Sequence, residues 1–345
     1  GQLILSSFAI GFAEYAQALA PSVNLSIVAA AIMTSCFVAN LFGIKVAARF
    51  QILMVFALVA SLAFYILFGL THIDDFTPYT ELTSVMPEGF NGFFAAAFLL
   101  RLSLIGSEFI SEFGDEMEQP GKMIPLVMCL SMLVVVVLYI LIAIVATGVL
   151  PLEDIAGKNL AYTAKTVFSP AVYIAFIAGG IMLSLVTSLN AIFGWCTRGL
   201  YMATEDGWLP PKLAVVNQHG IPYIFLTVFF LLGIRPIVTG MSLSYVAILG
   251  NAVGAIFGLF PVLALFNLAA EKPDAYRRAP FRLPLWATKL FPLLSVLIYG
   301  YGIYSSWDFI GNTGWFLLFG YSAVVLLYIH FRSPYVLQAR ETKIR

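Results

Sequence analysis

Long apolar stretches alternate along this chain with short polar ones. A bilayer-spanning helix needs roughly 20 mostly apolar residues. Ten segments meet or approach that length: 2–20, 25–43, 51–70, 91–113, 124–149, 170–200, 221–238, 243–269, 290–306 and 313–331. In lipid, backbone groups must be satisfied within a helix or around a closed barrel. Barrel strands read as ~10-residue segments of alternating polarity. Unbroken runs such as LVMCLSMLVVVVLYILIAIVATGVL (126–150) do not alternate. The pattern predicts an all-α integral membrane protein with ten transmembrane helices and one transmembrane domain over 1–345.

Composition strengthens that reading. The 345 residues are 61% hydrophobic and 10% charged, with a mean hydropathy of +0.95. An ordinary soluble domain is about 45–50% apolar and about 25% charged. The expected surroundings are a lipid bilayer. Formal net charge is zero, so no basic surface points to nucleic acid. Cys36, Cys129 and Cys196 are far apart and read as membrane-buried small hydrophobes. His72, His219 and His330 are equally scattered. The sequence contains no HExxH, GxSxG or Walker loop, so neither an enzyme nor a cofactor or metal is expected. Repeated filter loops and rings of charge, the marks of a channel, are also missing from the pattern.

Charge sets the expected orientation, because Lys and Arg favour the cytoplasmic side. With the N-terminus inside, the inner side holds 14 cations, among them Lys45, Arg49, Lys122, Arg198 and the loop EKPDAYRRAPFRLPLWATK (271–289). The outer side holds Lys158, Lys165 and Arg235. Both ends of the chain are expected in the cytoplasm, and the protein in the plasma membrane. The chain starts at Gly1 and is apolar by Leu3. It has no basic region and cleavage site of a signal peptide, and is read as cut from something longer.

The stretch RLSLIGSEFISEFGDEMEQPGKMIP (101–125) breaks the pattern. Glu108, Glu112, Asp115, Glu116 and Glu118 place five carboxylates in eleven residues, with Arg101 inside the apolar run before them. On a helix starting near Asn91, Arg101 lies ~15 Å in and Glu108 ~26 Å in. A charge at the bilayer centre costs roughly 2.5–3.5 kcal/mol, so Arg101 needs a partner. Seven apart, Arg101 and Glu108 share a face of a straight helix. One reading is an internal ion pair or a snorkelling Arg; the other is the lining of a polar pathway. The glycine of IGSE marks a candidate break. Transporters use such breaks to aim free backbone groups at a substrate.

These residues resemble the sixth helix and following loop of the amino acid–polyamine–organocation permeases. That family's pattern is Phe-x-Gly-Phe-Glu, a small residue, two acids, x-Lys-Asn-Pro and a later Pro. Gly106, Glu108, Gly114, Asp115, Glu116, Pro120 and Pro125 match. Ser107 replaces an aromatic, and Glu118-Gln119 replaces Lys-Asn. A second block, CTRGLYMATEDGWLPPKLAVVNQHGIP (196–222), matches at Arg198, Leu200, Tyr201, Asp206, Gly207, Leu209 and Pro210. A third, NLFGIKVAARFQ (40–51), resembles the turn between helices four and five.

The resemblance implies a partial five-plus-five inverted-repeat fold. Residues 1–70 would hold helices three to five, and 91–269 would hold the second repeat. Residues 290–331 would hold helices eleven and twelve, and 332–345 a cytoplasmic tail. Helices one and two, with half the substrate site, would be missing. It implies a secondary transporter of amino acids or amines, coupled to protons or working by exchange. The alternatives are a non-transporting sensor and an inactive fragment. It implies substrate contact at Leu102, Ser103, Gly106 and Ser107, with Leu102 where some members carry a gating aromatic. Glu108 would correspond to an acid of proton coupling or gating. Arg101 falls outside the family pattern; it is grouped with Glu108 in coupling or gating, and is read as facing an outer vestibule where it would attract an acidic substrate. Some proton-coupled members carry a Lys on helix five, but VFALVASL (55–62) has none. Thr187 and Ser188 offer hydroxyls for a cation such as sodium or for helix–helix bonds. Glu116, Arg198 and Asp206 are read either as a cytoplasmic gate or as a fixed ion-pair set. The run Gly207–Pro210 is expected to end the eighth helix.

Overall fold

The computed structural model describes residues 2–43, 48–76, 79–80 and 86–344. Residues 44–47 of the third motif block lie outside the described residues, as do the side chains of Arg49, Leu102, Glu112, Asp115 and Glu116.

Among the described residues every regular element is helical. The main helices are α1 (Gln2–Leu19), α2 (Leu25–Leu41), α3 (Ala48–Leu70), α4 (Gly89–Leu104) and α5 (Pro120–Val149). They are followed by α6 (Pro170–Glu205), α7 (Tyr223–Val238), α8 (Leu243–Glu271), α9 (Ala287–Ser305) and α10 (Trp307–Ile344). Five stretches are long and apolar enough to cross a membrane: Ile52–Leu70, Pro120–Val149, Pro170–Glu205, Leu243–Glu271 and Gly314–Gln338. Leu3–Leu19, Leu25–Leu41 and Tyr223–Val238 are shorter apolar helices.

Three segments differ from the simple pattern. The expected helix 91–113 is two pieces: α4 stops at Leu104, and a 3₁₀ segment, Ser107–Glu116, follows. Helix α6 continues to Glu205 and winds as a π-helix over Ala175–Met182. Helix α10 is interrupted at Gly311, whose φ of 72° and ψ of 162° are not helical.

The chain forms two compact units. The first comprises Gly1–Asp75, Leu141–Val246 and Leu317–Arg345. Its core follows helical spacing: Leu5, Ala9 and Ala13 on α1, Ala29, Met33 and Cys36 on α2, and Leu189, Ile192, Phe193 and Cys196 on α6. The alanines let neighbouring backbones approach, the usual route to tight helix pairs where apolar burial adds little. The Ser6 hydroxyl, fully buried, donates to the Gly233 carbonyl at 2.6 Å. Around the π-helical stretch, Gly180 is held tight: a β-carbon there would lie 2.7 Å from Ser61. Nearby, Tyr65 stacks on Phe176 and its hydroxyl bonds Thr163 at 2.8 Å.

The second unit comprises Phe76–Ile140 and Ala247–Phe316. It holds α4, the 3₁₀ segment, the first part of α5, most of α8, and α9. Here Phe98 of α4 lies against Gly302 of α9, where any β-carbon would fall within 2.4 Å of the ring.

Candidate functional site

The second unit contains the interruption expected near Gly106. Residues 105 and 106 leave the helix, and Gly106 adopts φ 139° and ψ −35°. L side chains rarely take that conformation. A β-carbon there would meet nothing within 4 Å, so the requirement for glycine lies in the backbone angle and not in space. The Glu108 carboxylate folds back and accepts from the Gly106 N–H at 2.8 Å. The Phe109 N–H donates to the Gly106 carbonyl at 3.2 Å. Ser111 donates to the Glu108 carbonyl at 2.7 Å. Glu108 thus caps the restart of the chain after the break. The straight-helix pairing of Glu108 with Arg101 does not form, because the helix that would align them ends between them.

Ending α4 at Leu104 frees carbonyl groups that a continuous helix would use. One of them, on Ser103, accepts from the Tyr139 hydroxyl of α5 at 3.2 Å. Between the break and α5 lies a cleft of about 220 Å³. Ser103, Gly106 and Ser107 line one side, and Ser131, Met132 and Tyr139 the other. Three of the four residues expected at a substrate are therefore brought together. The cleft is smaller than the roughly 300–1,000 Å³ of drug-sized sites; its wall is mostly apolar, with Leu104, Ile105, Met132 and Val135 beside the hydroxyls, which fits a small solute with an apolar part and a few polar groups. Among the described residues, no three of His, Cys, Asp and Glu gather as metal ligands.

Arg101 occupies a different place from an open vestibule. Its guanidinium donates to Asn251 Oδ1 at 3.0 Å and to the Gly254 carbonyl at 3.1 Å. It also lies over the Tyr299 ring, 4.6 Å from the centroid. Asn251 is 1% exposed and its amide donates to the Phe98 carbonyl. Gly254 and Gly258 make room: a β-carbon at either would lie 3.2 Å from a guanidinium nitrogen. Asn251, Gly254 and Gly258 fall three and four apart, on one face of α8. This stripe was present in NAVGAIFG but was not tied to Arg101 by sequence reasoning.

The other expected positions belong to the first unit or lie outside the described side chains. Thr187, half-buried on α6, donates to the Ser184 carbonyl of its own helix at 2.8 Å. Ser188 follows it and is also half-buried. Arg198 is half-buried on the same helix, and Asp206 is exposed at its C-terminal end. That end is closed by Gly207 in a left-handed conformation, φ 84°. The Gly207 N–H donates to the Thr204 carbonyl at 3.0 Å and the Trp208 N–H to that of Ala203 at 2.9 Å, the paired bonds of a Schellman ending. The next carbonyls are held by α10. Arg332 Nε donates to Gly207 at 3.0 Å, and the Tyr328 hydroxyl to Trp208 at 2.5 Å. The Leu102 and Glu116 side chains lie outside the described residues.

Apolar helices long enough to span lipid, one of their neighbours broken beside a small cleft, define a multi-pass membrane protein. A model of the amino acid permease family matches residues 3–331, and the chain belongs to that family. It is 24% identical to the methylthioribose transporter of Bacillus subtilis (strain 168) over 329 residues, 88% of this chain and 68% of that protein. The branched-chain amino acid permease BcaP of the same organism is 27% identical over 53% of this chain and 39% of its own. The cystine/glutamate transporter of Homo sapiens is 26% identical over 88% of this chain and 60% of its own. The chain thus spans from about two fifths to about two thirds of the length of these relatives.

Proposed function

We propose that the protein is a secondary transporter that moves amino acids or related amines across the membrane by alternating access. The observation that carries this reading is the break at Gly106, which opens onto the cleft lined by Ser103, Gly106 and Ser107. A helix broken within the membrane leaves backbone groups able to bind a charged or polar solute that lipid would reject. Family membership supports the same reading. The relatives carry different cargo by name: methylthioribose, branched-chain amino acids, and cystine with glutamate. They have in common small polar organic solutes.

In this reading the whole chain is one transporter domain, with both of its ends in the cytoplasm. Leu102 contributes to the substrate site beside the three cleft residues, and Glu108 is the group linked to protons. Thr187 and Ser188 are the alternative site for a sodium ion. Glu116, Arg198 and Asp206 form the cytoplasmic gate.

The test is uptake into proteoliposomes by the complete gene product, with labelled amino acids and amines competing in one panel. Competition confined to amino acids or amines is expected. Imposing proton or sodium gradients in turn identifies the coupling. A well-folded protein that takes up no member of the panel would sink the proposal and favour a sensor.

A further inference from the structure

We propose that the loop between α8 and α9 is a binding site for the phosphate headgroups of anionic phospholipids. Residues 271–289 carry five cations against two acids. Helix α8 is long and apolar enough to cross a membrane and ends at Glu271. The loop therefore leaves the bilayer where headgroups lie. Three of its cations, Lys272, Arg277 and Arg278, are exposed, and their side chains make no hydrogen bond or ion pair among the described residues.

The loop is also built to hold a shape. A short helix, Pro273–Arg278, opens it. The Tyr276 hydroxyl donates to the Leu283 carbonyl, and Arg282 donates to the Arg277 carbonyl at 3.5 Å. Thr288 and Ala287 are buried at its end. On this frame Phe281, Leu285 and Trp286 stand 61%, 63% and 64% exposed. Exposed apolar and aromatic side chains next to unpaired cations match the headgroup boundary, where rings sit among lipid and cations meet phosphate. A soluble anion would use the cations alone and leave these rings in water.

The site touches the machinery already described. Pro280 packs on Gly121, at the start of α5, where a β-carbon would lie 3.2 Å from the proline ring. Gly121 is the second residue of α5, just after the linker from the 3₁₀ segment. A lipid that fixes the loop therefore also fixes the far end of the broken helix. This consequence rests on the transport reading; the binding itself does not.

The experiment uses the complete protein reconstituted with brominated phosphatidylglycerol or brominated phosphatidylcholine. The quenched fluorescence is that of Trp286, obtained by difference from Trp286→Phe. Stronger quenching by the anionic lipid at equal mole fraction is expected. That preference should fall about fivefold for each cation removed in Arg277→Gln and Arg278→Gln, persist in Arg277→Lys/Arg278→Lys, and shrink with added salt. Equal quenching by the two lipids, or a preference that survives both Gln changes, overturns the proposal. Loss of the preference to inorganic phosphate alone would replace the lipid by a soluble anion and overturn it too. Uptake, measured in parallel, should rise with phosphatidylglycerol and lose that response in the double Gln variant. Absence of uptake altogether would count against the transport reading while leaving the quenching result to decide this one.

Discussion

At the scale of single residues, Gly106 and Glu108 divide the break between backbone and charge. Any side chain at 106 must take a φ of 139°, a strain of about 1–3 kcal/mol. Gly106→Ala is expected to lower the melting temperature in detergent and to reduce uptake. A variant that melts with the parent would mean the interruption is not fixed at this residue. Glu108→Gln keeps an oxygen for the Gly106 N–H and removes only the charge. It should leave the fold intact and flatten the pH dependence of uptake; a full pH response would clear Glu108 of proton coupling. For Arg101 the geometry changes the expectation. Its removal strands the buried Asn251 oxygen, at about 1–3 kcal/mol, whereas the half-buried Gly254 carbonyl keeps its place in the α8 backbone ladder. Arg101→Ala should lower stability and reduce uptake of acidic and neutral solutes by the same factor. A loss confined to acidic solutes would restore the vestibule reading.

At the scale of elements, the C-terminal end of α6 is tied down by a helix more than a hundred residues later in the chain. Tyr328→Phe with Arg332→Ala removes two bonds worth about 0.5–1.5 kcal/mol each. Amide exchange over 203–210 should quicken while exchange in the middle of α6 stays unchanged; uniform exchange along α6 would show that α10 does not hold this turn. Helices were the most legible part of the sequence, because lipid forces each apolar run to satisfy its own backbone. The break was legible because a glycine between small and acidic residues has a local cause. The π-helical turn at Ala175–Met182 was not, since its tight spot depends on Ser61 of α3. The Arg101 clasp was missed for the same reason: its partners lie about 150 residues away, and only folding puts them together. Ser103, Gly106 and Ser107 were expected at a substrate only through the family resemblance, whereas Tyr139 and Ser131 carry no motif and became visible only beside the cleft.

At the scale of the whole molecule, much of the large apolar surface faces outward, as lipid as solvent requires. Leu130, Leu133 and Ile140 of α5 are 57%, 61% and 54% exposed. A carrier with a closed cycle should show uptake that saturates and is accelerated by substrate trapped on the opposite side. Flux that rises without limit would indicate a channel and sink alternating access. Such a cycle needs parts that rest in more than one position. Arg101 spans Gly254 and Gly258 together, with a guanidinium nitrogen 3.2 Å from where a β-carbon would stand at each. One guanidinium thus takes up both smooth positions of the stripe and bonds Asn251 and Gly254 beside them. The stretch of α4 around Arg101 is therefore buckled to α8 and should travel with it, like two boards under one clamp: spin labels on the two helices are expected to report one distance with and without substrate, and a second distance would show that the clamp opens.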